Sequence, residues 1–135
     1  MIHYTNSIEG ITTEQLQGFF THWMHPPTAE ALLRILNGSD LVVLAVDREA
    51  NRVVGYITTI TDGVSCAYIP HLEVLEALRG QGIGQELVRR MLERLQSLYM
   101  IDLMCDPELQ PFYEQLGFRP STGMLIRNYD RQRCD

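Results

Sequence analysis

The chain has 135 residues, 45% of them apolar and 21% charged, with a net charge of −6 and 11 basic residues. Such a composition describes one soluble domain (1–135) with a core of its own, and not a disordered chain. The acidic balance argues against a nucleic-acid partner, whose phosphates call for basic surface, and mildly favours a cationic amine as ligand. The longest apolar run, Leu41 to Val46, is far too short to span a bilayer, and Met1-Ile-His-Tyr-Thr5 lacks the basic start of a signal peptide. A cytoplasmic protein with no membrane association is expected. Cys66, Cys105 and Cys134 are odd in number and share no ligand spacing, so free thiols and no metal site are expected.

In chain order, Ile2 to Thr5 reads as a short strand. Thr12 and Gln15 then form a capping-box pattern, with Ile11 and Leu16 as its staple, for a helix that should end near Trp23. His25-Pro26-Pro27 cannot continue it. Thr28 caps a second helix with Leu32, Leu33 and Leu36 on one face, stopped by Asn37-Gly38. Leu41 to Val46 reads as a buried strand and Val53 to Ile60 as the next. Asp62-Gly63 is a hairpin signal leading into a fourth strand, Val64 to Val74. Pro70 inside that strand cannot donate to a ladder, and predicts a bulge or a parting of neighbours.

Ile83, Leu87, Val88, Met91, Leu92 and Leu95 recur at helical spacing, with Arg89, Arg90, Glu93 and Arg94 on the opposite side. Met100 to Cys105 reads as a fifth strand, in which the Asp102 carboxylate needs solvent or a partner. Asp106-Pro107 caps a last helix that ends at Gly117. Phe118 to Pro120 and Met124 to Arg127 predict a closing hairpin across Ser121 to Gly123. The order is β-α-α-β-β-β-α-β-α-β-β.

The chemistry concentrates between Leu72 and Gln85. There an apolar strand runs into the glycine-rich turn Arg79-Gly-Gln-Gly-Ile-Gly84, which opens the long helix. Free N–H groups at a positive helix end make an anion site, for which a phosphate is the natural ligand. The turn is not a P-loop, because the chain contains no lysine. Nor is it a dinucleotide fingerprint: Gly80-x-Gly82 is followed by Gln85 and Gly82-x-Gly84 by Leu87, and an antiparallel hairpin precedes it.

What remains, Arg79-x-x-Gly82-x-Gly84, resembles the acetyl-coenzyme A signature of the GNAT superfamily of N-acetyltransferases. Val74, five residues before Arg79, stands where the family has a valine. Phe112-Tyr113-Glu-Gln-Leu-Gly-Phe118, beginning 28 residues after Gly84, is similar to its Tyr-x-x-x-Gly-Phe run. The order of elements agrees as well. The resemblance implies a compact α/β (α+β) GNAT fold, a mixed, mostly antiparallel sheet flanked by helices. It also implies acetyl-coenzyme A as co-substrate, with no metal.

By that resemblance, the pyrophosphate of the co-substrate rests on backbone from Gly80, Gln81, Gly82, Ile83, Gly84 and Gln85. Arg79 adds a charge-assisted contact, and Phe112 and Asp106 border the site. The fourth and fifth strands splay, and the pantetheine arm pairs with Leu72 and Val74. The Val74 N–H then meets the thioester oxygen on which charge grows. Tyr113 is the expected acid for the leaving thiolate; thiol and phenol, with ordinary pKa values near ~8.5 and ~10, are matched closely enough to exchange a proton. His71 and Glu73 flank the acetyl position as candidate bases, although alternation with Leu72 leaves their facing open. His22, Trp23, His25 and Tyr56 are candidate acceptor contacts.

Glu76 stands where the family has proline, and Asp106 where it has asparagine, which puts an amide donor to the co-substrate in doubt. The short stretch after the last hairpin leaves little to wall the acceptor site, so a small or open pocket is expected. The reading that follows is N-acetylation of a small-molecule primary amine by direct attack in a ternary complex, by a monomer or homodimer. Acetylation of a protein or peptide, or non-catalytic acyl-coenzyme A binding, are the alternatives.

Overall fold

A computed structural model describes residues 1–135. Six strands form one sheet: β1 (Ile2–Thr5), β2 (Leu41–Asp47), β3 (Arg52–Thr61), β4 (Cys66–Tyr68), β5 (Leu72–Val74) and β6 (Met100–Asp102). Their order is β1-β2-β3-β4-β6, with β5 also paired to β3. All pairings are antiparallel except β4 with β6. The helices are α1 (Ala29–Gly38), α2 (Ile83–Arg94) and α3 (Gln110–Glu114).

Two cores lie on opposite faces of the sheet. On one, Ile83, Leu87, Val88, Met91 and Leu95 pack α2 onto Val43, Ala45, Val54, Ile57 and Val74. On the other, Leu32 and Leu36 of α1 join Leu16, Phe19 and Phe20 over Val42, Leu44, Val53 and Tyr56. Alternation along the strands feeds both faces, which is why β2 and β3 read as nearly unbroken apolar runs.

The expected fold is present with local differences, the smallest being that β6 ends at Asp102 where a strand to Cys105 is expected. The helix expected from Thr12 to Trp23 is a single 3₁₀ turn, Thr13–Leu16. The cap forms, Thr12 N–H donating to Gln15 Oε1 at 2.9 Å. Left-handed backbone at Gly18 (φ 95°) and Phe20 (φ 63°) then turns the chain out of the helix. The expected fourth strand is divided at Ile69–His71, as Pro70 requires, into β4 and β5. The expected closing hairpin does not form: Phe118–Pro120 and Met124–Arg127 lie outside any strand, and only a 3₁₀ turn, Tyr129–Arg131, follows.

Candidate active site

The divided strand opens the sheet. β4 and β6 run side by side from Cys66↔Met100 to Tyr68↔Asp102, and the Ile69 N–H donates to the Asp102 carbonyl at 2.9 Å. Beyond that bond the two chains part. β5 stays on β3, in the register Ile57↔Leu72, Tyr56↔Glu73 and Gly55↔Val74. The His71 carbonyl accepts from Thr58 N–H, and the Leu75 N–H donates to Val54 O. In an antiparallel ladder the intervening residues turn their backbone groups the other way. Leu72 and Val74 therefore direct theirs into the gap that β6 vacates. The Val74 carbonyl there accepts from Arg79 Nε at 3.0 Å.

The glycine turn follows. Gly80 (φ 80°) and Gly82 (φ 86°) both hold left-handed backbone, and a Cβ on either would meet no atom within 4 Å. The need for glycine is conformational, and open space surrounds the turn. Gly82 is the N-cap of α2, so the N–H groups of Ile83, Gly84 and Gln85 begin the helix without intrahelical acceptors. The Ile83 side chain is buried in the core and offers the site only its backbone. Phe112 packs on α2, its Cζ 3.5 Å from where a Gly84 Cβ would stand. A glycine the sequence reading passed over seats the helix: a Cβ on Gly55 would lie 3.1 Å from Leu87 Cδ1 and 3.3 Å from the Glu73 carbonyl and Ile83 Cγ2.

On the α1 side of β5 lies a cavity of about 220 Å³ lined by Phe20, His22, Trp23, Tyr56, His71, Glu73 and Arg79, among others. Both Glu73 oxygens accept the Phe20 N–H, at 2.9 and 3.2 Å, and the Tyr56 hydroxyl donates to Glu73 Oε1 at 3.4 Å. Burial still raises the Glu73 pKa, against the lowering pull of these donors and of Arg79. The His71 ring lies edge-on to Phe20 at 6.1 Å and tilted against Trp23 at 6.2 Å. Burial lowers its pKa, so its imidazole is neutral at neutral pH. Of the four acceptor candidates, His22, Trp23 and Tyr56 meet in this cavity. His25 is not among its lining residues, and its backbone N–H donates to Gln132 Oε1.

Tyr113 belongs to a second cavity, of about 420 Å³, bounded by Ile101–Cys105 on one side and Phe118–Met124 on the other. The helix that carries it ends at Gly117 (φ 101°), and the Tyr113 carbonyl accepts from Leu116 and Phe118 N–H. Its ring stands edge-on to Phe112 at 5.0 Å and Phe118 at 5.7 Å. Burial, with the Cys105 thiol beside it, pushes the phenol pKa up to about 12.

Among the expected site residues, Val74 meets the glycine turn at Gly84, whose Cβ position is 3.7 Å from Val74 Cγ2, and Leu72 lines the cavity that holds His71. His71 and Glu73 share one cavity and Tyr113 lines the other. Asp106 caps the turn Pro107–Leu109 through its carbonyl, bound by Leu109 N–H, and its side chain makes no cap bond. The Asp102 side chain is exposed, which meets its need for solvent. The reading missed Phe20 and Gly55. A glycine inside a strand pattern was an available signal for Gly55; nothing local marks a phenylalanine for left-handed backbone.

No helix is long and apolar enough to cross a membrane, and no group of three or more His, Cys, Asp or Glu side chains is placed to hold a metal.

The model of the acetyltransferase (GNAT) domain family matches residues 8–129. Glucosamine 6-phosphate N-acetyltransferase 1 of Oryza sativa subsp. japonica is 31% identical over 108 residues, covering 69% of this chain and 66% of that protein. The chain thus spans just under two thirds of that relative's length. A Deinococcus radiodurans R1 crystal structure, provisionally assigned as an acetyltransferase, superposes with a TM-score of 0.94 at 44% identity, covering 98% of this chain and 92% of that one. A GNAT-family acetyltransferase from Streptococcus pneumoniae TIGR4 gives 0.75 at 30% identity, covering 95% and 98%. With the parted strands, the glycine turn and these relatives in view, the chain belongs to the GNAT family of acetyltransferases, whose co-substrate is acetyl-coenzyme A.

Proposed function

We propose that this protein transfers the acetyl group of acetyl-coenzyme A to the primary amine of a small molecule, by direct attack within a ternary complex. The observation that carries the reading is the parting of β5 from β6. It leaves the backbone of Leu72 and Val74 facing a gap, with the His71–Glu73 cavity on the α1 side and Tyr113 in the cavity beside β6.

The residues fit the co-substrate. Open space around Gly80 and Gly82 and the free N–H groups from Ile83 to Gln85 suit a pyrophosphate. Gln81 extends that row, and Arg79, with its Nε on the Val74 carbonyl, keeps its terminal amino groups for a further anionic contact. Leu72 and Val74 suit an amide-bearing arm, with Phe112 and Asp106 at the border. When bound, the thioester supplies the electrophilic acetyl carbon. The Val74 N–H is a fixed donor for the charge that grows on the carbonyl oxygen. Glu73, rigidly held by Phe20, presents a carboxylate to the incoming ammonium. Neutral His71 accepts the amine proton, directly or through water. Tyr113 returns a proton to the departing sulfur.

A cavity of about 220 Å³ walled by aromatic rings suits a small amine better than a polypeptide. The rice relative, named for acetylating an amino-sugar phosphate, also acts on a small molecule. Incubation of acetyl-coenzyme A with amines and with peptides, following thiol release, tests the assignment. Turnover confined to small amines supports it, and turnover confined to peptides overturns it.

A further inference from the structure

The cavity on the α1 side of β5 holds two opposite charges that do not meet. Glu73 and Arg79 both line it, and Arg79 pulls the Glu73 pKa down against the larger rise from burial. Yet no ion pair or hydrogen bond joins them. The Glu73 oxygens are engaged by the Phe20 N–H and the Tyr56 hydroxyl, and Arg79 spends only its Nε, on the Val74 carbonyl. Each charge is thus tethered to β5, at consecutive residues whose Cα atoms stand about 3.8 Å apart. Alternation sends the Glu73 side chain and the Val74 carbonyl different ways, which keeps the two charges close but separate.

The rest of the wall adds no fixed charge. It is aromatic and apolar apart from His71, neutral at neutral pH, and His22, which is exposed and faces Glu76 across 3.8 Å. One carboxylate and one guanidinium therefore sum to zero. A bare ammonium would match Glu73 and leave the guanidinium without a partner. A phosphate ester, with a charge of about −2, would exceed the single cation. With Nε engaged, the two terminal amino groups of Arg79 present a planar fork that suits a carboxylate. At about 220 Å³ the cavity is also smaller than the roughly 300 Å³ at which pockets for drug-sized ligands begin.

We propose that the acetyl acceptor is an amino acid, its amino group directed by Glu73 and its carboxylate held by the terminal amino groups of Arg79. The inference rests on the acetyl-transfer reading of the same site, and it leaves the pyrophosphate to the backbone N–H groups of the glycine turn. In the reaction the N–C bond forms as the C–S bond breaks. The ammonium gives up two protons, the departing sulfur takes one, and one passes to solvent. The product, an N-acetyl amino acid, has lost its positive charge and keeps its negative one. Glu73 then repels it, which favours release.

Thiol release from acetyl-coenzyme A tests this with the standard α-amino acids, each beside the amine that lacks its carboxylate, and with glucosamine 6-phosphate. The best amino acid is expected to exceed its own amine in kcat/KM by roughly 10-fold or more. In Arg79→Gln the side-chain nitrogen occupies the Nε position and still serves Val74, but the fork and its charge are gone. The ratio of acid to amine should fall there to about one. Any change in co-substrate binding acts on both acceptors alike and cancels in the ratio. Arg79 is exposed, so folding is not at stake. Simple amines or glucosamine 6-phosphate outpacing every amino acid would overturn this inference and leave acetyl transfer standing, and so would a ratio that survives in Arg79→Gln. Thiol release with no acceptor at all would overturn both.

Discussion

Glu73 holds Phe20 by its backbone: both carboxylate oxygens accept one N–H, across 53 residues of sequence, at a phenylalanine whose φ is 63°. Left-handed backbone at a bulky residue is unfavourable and persists only where its surroundings fix it. Phe20 in turn packs tilted against Trp23 at 4.8 Å and stands against Tyr56 and His71. The wall of the cavity that holds His71 and Glu73 thus hangs on one carboxylate.

Glu73→Ala is expected to leave the buried Phe20 N–H without an acceptor, at about 1–3 kcal/mol of stability. The amine KM should rise as the wall relaxes, while affinity for acetyl-coenzyme A changes little. Glu73→Gln, which keeps an acceptor oxygen, should retain most of the stability and lose the attraction for the ammonium. Because burial raises the carboxyl pKa, the folded protein takes up a proton before the unfolded chain does. This group therefore favours folding more as pH falls through that window, and the variants should flatten that part of the pH–stability curve. Chemical denaturation across pH and steady-state kinetics read these effects.

The pH dependence of kcat follows from two opposite shifts. His71 is lowered by burial, so its imidazole accepts a proton until the pH drops below its ordinary value of about 6.5, and the acid limb should lie beneath that point. Tyr113, pushed up to about 12, remains a donor well into alkali, so no alkaline limb is expected through about pH 10. Tyr113→Phe should lower kcat by roughly 10²-fold or more with the KM for acetyl-coenzyme A unchanged. An unaltered kcat in that variant would remove Tyr113 from the chemistry.

Gly55→Ala tests how α2 is seated. The added methyl presses on backbone at the Glu73 carbonyl as well as on the Leu87 and Ile83 methyl groups of α2, and these neighbours must give by a few tenths of an ångström. About 1–3 kcal/mol of destabilisation is expected from such overpacking, seen as a lower urea midpoint with an unchanged slope. Weaker acetyl-coenzyme A binding should accompany it, because α2 carries the N–H groups proposed to meet the pyrophosphate.

Local signals made much of this arrangement legible. The period of Ile83 to Leu95 located α2, Pro70 marked the break between β4 and β5, and the Thr28 cap set the start of α1, its Oγ1 accepting the Ala31 N–H at 3.1 Å. The errors lie where distant residues decide. The Thr12 capping pattern is visible in the sequence, but the helix it opens is cut short by Gly18 and by a Phe20 conformation fixed from β5. The facing of His71 and Glu73, open from alternation alone, follows once β5 pairs with β3 in register and turns both toward the α1 side. Met124 to Arg127 has the composition of a strand, but no edge within its own chain receives it.

The proposed reaction is attack of an amine on acetyl-coenzyme A in the gap between β5 and β6. Its most direct test is a thiol-release assay of the purified protein with acetyl-coenzyme A and a panel of small primary amines, run beside Tyr113→Phe and a calorimetric measurement of coenzyme A binding. Amine-dependent thiol release is expected, at least about 10²-fold slower in the variant, with coenzyme A bound equally by both proteins. Coenzyme A binding with no thiol release from any amine would contradict it.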